Sequence, residues 1–155
     1  MRKRRAEKRD QVPDPKFGSI LITQFVSSLF RKGKKSVGEK IFYMALDLIS
    51  ERSGKEGVEV FEQAVESVKP IVQVKSRRVG GQTYQVPVEV RQDERLSLSI
   101  SWIIQFARDR NEKTMDQRLA GELQDAANGQ GRSIQRREET HRMAEANRAF
   151  AHYRW

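Results

Sequence analysis

From Ser19 onward, apolar residues recur at helical spacing. Leu21, Phe25 and Leu29, flanked by Ile22, Val26 and Phe30, form one stripe, and Gly33 supplies its stop. Ser36 followed by Glu39 reads as a capping box, in which hydroxyl and carboxylate satisfy each other's free backbone donors. Ile41, Ala45, Leu48 and Ile49 continue that second helix toward Ser53-Gly54. A third stripe runs through Val58, Phe61, Val65 and Val68. Glu59, Glu62 and Glu66 line its flank, and Pro70 ends it.

The period then changes from helical to alternating. Residues 71–79 and 83–90 are rich in β-branched side chains, and Tyr84, Val86, Val88 and Val90 alternate with Thr83, Gln85, Pro87 and Glu89. Gly80-Gly81 marks a hairpin turn between them. Pro87 cannot donate to a ladder, which puts this ribbon at an edge and predicts an isolated two-stranded arm. Helical spacing returns with Leu96, Ile100, Ile103 and Ala107, with Trp102 and Phe106 alongside, up to the charged turn 108–111. Thr114 with Gln117 reads as a second capping box. Met115, Leu119, Leu123 and Ala126 follow, and Asn128-Gly129 ends the helix. A last, weakly anchored helix from about Ser133 sets Met143, Asn147 and Phe150 on one side and Arg136, Arg137, Arg142 and Arg148 among the rest.

The expected fold is therefore mainly α: a single-domain bundle of about six helices with a protruding two-stranded β-hairpin at about 71–90. Residues 1–18 are charged, lack periodicity and contain Pro13 and Pro15, which predicts a basic extended arm preceding the helical domain 19–155.

Composition sharpens this picture. Apolar residues make up 37% and charged residues 33% of 155, where ~45–50% and ~25% are usual, so one thin core must serve a large polar exterior. The net charge of +9 suits a partner rich in phosphates. Its placement is uneven: residues 1–16 carry +4 and 131–155 carry +3, leaving +2 for the whole middle. The absence of cysteine excludes disulfides and thiolate chemistry. No apolar run approaches the ~18 residues of a membrane span, and the N-terminus, with Glu7 and Asp10, resembles neither a secretory signal nor a transit peptide. A soluble cytoplasmic protein is the expectation.

Catalytic patterns are scarce. Gly33-Lys34-Lys35-Ser36 lacks the glycine that a phosphate-binding P-loop needs at position 28, where Ser28 stands, and has lysine where that loop has Ser or Thr. His141 and His152 match no zinc spacing; His141 is read as either a packed helix histidine or an RNA contact. Glu59, Glu62 and Glu66 form a solvated flank. No metal or cofactor is expected. The basic clusters read differently, because they sit at arms and turns where cations can approach a phosphate backbone. Arg31, Lys32, Lys34 and Lys35 surround Gly33; Lys75, Arg77 and Arg78 precede the Gly80-Gly81 tip; Arg108, Arg110 and Lys113 fill another turn. Tyr84, Tyr153 and Trp155 are candidates for stacking on unpaired bases or for packing. A DNA-compacting protein and an RNA-acting enzyme are the rival classes.

Several long runs carry a resemblance over nearly the whole chain. They are residues 13–17 (Pro13-Asp14-Pro15-Lys16-Phe17), 33–36, 74–81, 84–90, 141–147 and 149–155. In these the chain closely resembles the small-subunit ribosomal protein seven family, in its bacterial and organellar form. The resemblance implies a structural, non-enzymatic component of the small ribosomal subunit. Such a protein binds the head (3′ major) domain of the ribosomal RNA early, nucleates assembly of that domain, and lies at the subunit interface near the exit-site tRNA and the mRNA path. Implied RNA contacts are Arg2, Lys3, Arg4, Arg5, Lys8, Arg9 and Lys16 of the arm; Lys34 and Lys35; Lys75, Arg77 and Arg78; Arg108, Arg110 and Lys113; and Arg136, Arg137 and Arg142. Arg77, Arg78, Gly80, Gly81 and Tyr84 would form the edge nearest tRNA and mRNA. Neighbours would be small-subunit proteins nine and eleven, the protein would be a monomer within the ribosome, and an organellar stroma or matrix is the alternative location. The sequence departs from the family at Ser101, where arginine is common, and at Asp109 in a turn that is usually more basic.

Overall fold

In a computed structural model, residues 10–153 are described. Six α-helices, one β-hairpin and a terminal 3-10 helix follow in the order α1 (Ile20–Leu29), α2 (Lys35–Ser53), α3 (Gly57–Val68), β1 (Val72–Val79), β2 (Gln82–Glu89), α4 (Gln92–Arg108), α5 (Met115–Ala127), α6 (Gly131–Ala146) and the 3-10 helix Arg148–Tyr153. The mainly helical bundle with a two-stranded antiparallel hairpin agrees with the sequence pattern.

Three phenylalanines, one from each of the first three helices, centre the core. Phe25, Phe42 and Phe61 are fully buried, and both Phe25 and Phe42 meet Phe61 edge-on with ring centroids 5.1 Å apart. α5 is the central helix: Leu119, Ala120, Leu123 and Ala126 are all fully buried, and it packs on α2, α3 and α4. Alanines at two of those four positions let neighbouring helices approach closely. The acidic flank of α3 faces solvent, with Glu59, Glu62 and Glu66 exposed.

Local details differ from the sequence pattern at four places. α1 ends at Leu29, because Phe30 turns extended, and Gly33 falls in a separate turn with Lys32, both at positive φ. Neither capping box forms. α2 begins at Lys35, so Ser36 already lies inside the helix, and Glu39 pairs instead with Lys35 at 3.4 Å. Thr114 does stand at the N-cap of α5, but its side chain makes no capping bond. In α6 the buried side chains are Ser133, Ile134, Thr140 and Ala144, while Met143 is exposed. The face predicted from Met143, Asn147 and Phe150 fails because the helix ends at Ala146 and the 3-10 segment reorients Phe150.

The hairpin is also less isolated than expected. β1 and β2 pair from Val72↔Glu89 to Val79↔Gln82, and Gly80 and Gly81 both take positive φ at the tip, where a side chain would be strained. The ribbon forms no larger sheet, yet it lies against α6 and the 3-10 helix. Val86 is fully buried, and Tyr84 stacks on Tyr153 (5.0 Å) and tilts against Phe150 (5.3 Å). Arg77 donates to the Tyr153 carbonyl, closing this aromatic bracket.

Candidate nucleic-acid interface

The arm residues Arg2, Lys3, Arg4, Arg5, Lys8 and Arg9 lie outside the described residues, as does Trp155. Its root is firmly held. Asp14 is 5% exposed, and its carboxylate accepts from the Lys16 and Phe17 amides at 3.0 Å each and from the Tyr43 hydroxyl at 2.6 Å. Burial, then the hydrogen bond to Asp14, push the Tyr43 hydroxyl up to about 12, so it stays protonated and donating. Exposed Lys16 sits 5.1 Å from the centroids of both the Phe17 and Tyr43 rings. One buried carboxylate thus fixes where the basic arm leaves the body, a role that the Pro-Asp-Pro-Lys-Phe run did not disclose by itself.

The α1–α2 turn raises Arg31, Lys34 and Lys35 into solvent, all exposed. Across from it, at the end of α4, Arg108 donates to the Leu29 carbonyl at 2.9 Å, which ties α4 to α1. Burial and the nearby charge of Arg31 both press the Arg108 guanidinium below its ordinary value. Arg31, Arg108, Ser28, Ser97, Ser101 and Gln105 line an open groove of about 700 Å³ between α1 and α4, with Asp109 at one side. Ser101 therefore contributes a hydroxyl where arginine is common in the resembled family.

The remaining candidates divide by what they touch. Arg110 is engaged internally: it pairs with Glu112 at 2.8 Å, Glu122 at 3.2 Å and Asp125 at 2.7 Å. Burial alone would lower its pKa, but the bonds to Asp125, Glu112 and Glu122 outweigh that and hold it above the ordinary value. Glu122 is fully buried and also accepts from the Ser133 amide (3.0 Å) and hydroxyl (2.6 Å) at the start of α6. A glutamate among the apolar stripe of α5, three residues after Leu119, was the sequence signal for this network. Lys75 pairs with Glu94 at 3.3 Å, and Arg137 donates to the Ser67 carbonyl. Arg78, Lys113 and Arg142 are exposed and make no ion pair among the described residues, while exposed Arg136 pairs only with exposed Glu139 at 3.4 Å. Arg132 stands 5.6 Å from the Phe106 centroid beside Trp102, a cation and aromatic pairing absent from the sequence-based candidates.

His141 takes the packing role. Its Nε2 accepts from the Ile71 amide at 3.0 Å, fastening the root of β1 to α6, and burial, then Arg137, lower its pKa. Among the described residues no group of three or more acidic, histidine or cysteine side chains is arranged to hold a metal, and no helix is long and apolar enough to cross a membrane.

Cations raised at turns around open, shallow grooves, on a body cross-braced by ion pairs, define a basic binding scaffold. The family described as Ribosomal protein S7p/S5e matches residues 1–148, and the chain belongs to it. The chain is 58% identical to the small ribosomal subunit protein uS7 of Syntrophobacter fumaroxidans, 57% to that of Hyphomonas neptunium and 56% to that of Myxococcus xanthus, in each case over 99% of both chains. It is a structural ribosomal protein and not an enzyme.

Proposed function

We propose that this protein is a structural constituent of the small ribosomal subunit that binds the head (3′ major) domain of the subunit's RNA early and nucleates its assembly. The observation that carries this is 58% identity to a small ribosomal subunit protein uS7 over 154 residues, 99% of both chains. Physical support comes from Lys16, Lys34, Arg78, Arg108, Lys113 and Arg142, which make no ion pair among the described residues, and from Lys35 and Arg136, whose ion pairs are with Glu39 and Glu139 at the surface; the sequence of the arm adds further basic residues. Arg110 has its donors engaged by three carboxylates, so it serves the surface by holding the 108–113 turn in shape. Lys75 ties the hairpin to α4, Arg77 ties it to the 3-10 helix, and Arg137 ties α6 to α3.

The hairpin tip, with Arg78, Gly80 and Gly81 exposed beyond the aromatic bracket, is the edge that faces exit-site tRNA and mRNA at the subunit interface. The protein acts as a monomer in the ribosome of the cytoplasm, beside small-subunit proteins nine and eleven. Filter binding to a transcript of the head domain tests the reading. Affinity should fall with a log–log salt slope of about −0.7 to −0.9 per phosphate neutralised, and unlabelled duplex DNA should compete poorly. Equal preference for unrelated RNA would reject it.

A further inference from the structure

Sharing Arg31 and Arg108 with the hydroxyl-lined groove, a second groove of about 220 Å³ opens between the α1–α2 turn and the start of α5. Its walls are apolar, including Phe30, Val37 and Met115; its charged residues are Arg31, Lys34 and Arg108, and no carboxylate lines it. Gly38 makes the back wall, because a Cβ there would come within 2.9 Å of the Phe30 Cβ; only glycine lets Phe30 lie against α2. Val37 is 51% exposed, an apolar side chain left in water beside three cations.

We propose that this groove receives a single unstacked nucleobase of the bound RNA, with that nucleotide's flanking phosphates on Arg31, Lys34 and Arg108. The inference rests on the RNA-binding reading above and adds a base contact to its phosphate contacts. Three observations converge on it. Arg31 and Arg108 line the same groove without an ion-pair partner among the described residues, and Arg108's hydrogen bond goes to a neutral carbonyl, so an anion joining the pair would offset their mutual repulsion. The two arginines line both an apolar groove and a polar one that also carries Ser28, Ser97, Ser101 and Asp109, a division that suits a nucleotide's apolar ring and its polar sugar–phosphate, with the Asp109 carboxylate placed to accept from ribose hydroxyls. The volume equals roughly seven water molecules, which suits one heterocycle and not a stacked pair. In a single strand each base has a phosphate on either side, and the groove presents the complementary order, an apolar slot between cations.

The test uses the full chain, a head-domain transcript and the variant Val37→Asn, which removes apolar wall at an exposed position without changing charge. The variant's thermal midpoint is checked first. Its affinity should fall about tenfold, the effect of withdrawing one aliphatic side chain from a buried contact, with the salt slope unchanged because no phosphate contact is lost. Dimethyl sulfate probing should reveal a base protected by the wild-type protein and open with the variant. An abasic site at that nucleotide should weaken the wild type but not weaken Val37→Asn further. Variant binding within twofold of wild type, the result expected if the groove takes a protein segment, would overturn the proposal. Failure of the wild type itself to prefer head-domain RNA is a separate result that removes both readings.

Discussion

Replacing Glu122 by glutamine should destabilise the fold far more than its conservative chemistry suggests. The side chain is fully buried and serves two partners from different elements: Arg110 of the α4–α5 turn through Oε2, and Ser133 of α6 through Oε1. Glutamine fills the same space but ends in one acceptor and one donor. With its oxygen toward Ser133, the amide NH2 meets the Arg110 Nη1, donor against donor; flipped, it meets the Ser133 amide instead. One partner is lost in either orientation and the other loses its charge assistance. Hydrogen bonds to charged groups contribute about 1.5–3 kcal/mol each, and Arg110 keeps Glu112 and Asp125, so its charge is not orphaned. The expected loss is about 2–3 kcal/mol, or roughly 5–10 °C in Tm for a domain of this size.

Urea unfolding followed by far-ultraviolet circular dichroism measures it, urea being chosen because it leaves the ion pairs unscreened. Asp125→Asn is the internal control. It removes a carboxylate from the same arginine, but that side chain is 42% exposed, so its loss should stay under about 1 kcal/mol. If Asp125→Asn cost as much as Glu122→Gln, burial would not be what gives this network its weight.

Tyr43→Phe should cost about 1.5–2 kcal/mol and raise hydrogen exchange at the Lys16 and Phe17 amides, which share the Asp14 carboxylate; unchanged exchange there would count against Asp14 as the anchor of the arm. Because the fold raises the Tyr43 pKa from 10.0 to about 12, the stability it lends is complete below pH 10 and is lost as pH rises toward 12, a loss absent from Tyr43→Phe. His141 works in the opposite sense. Its folded pKa lies below 6.5, so its contribution is present above that pH and is lost as pH falls through the lowered value, with faster exchange at the Ile71 amide; flat protection across this window would contradict the bond. Deleting residues 79–82 should leave head-domain binding within about threefold while weakening exit-site tRNA retention, and loss of primary binding would refute this division of labour.

The periodicity revealed the helices and the hairpin because their stripes are long and their turns carry glycine, as at Ser53-Gly54 and Asn128-Gly129. It misplaced what depends on tertiary contacts. Ser36 and Glu39 have capping chemistry, but the helix starts one residue before Ser36, which puts Lys34 and not Ser36 at the N-cap position that a capping box requires. In α6 the charge density hides the face that Ile134, Thr140 and Ala144 bury. Among the basic residues, sequence supplied the inventory and not the engagement. Arg110 and Arg78 look alike along the chain, yet one is enclosed by three carboxylates from α5 and its own turn and the other stands in solvent.

The bond from Arg77 to the Tyr153 carbonyl joins residues 76 positions apart, and the ring stack on Tyr84 spans almost the same distance. During translation the ribbon therefore emerges long before the residues that clamp it. A nascent chain halted after α5 would carry a ribbon lacking both α6 and the aromatic clasp, and a two-stranded ribbon alone is marginal in water. The ribbon's shape is thus a late event in biosynthesis, settled only after residue 153 has left the exit tunnel.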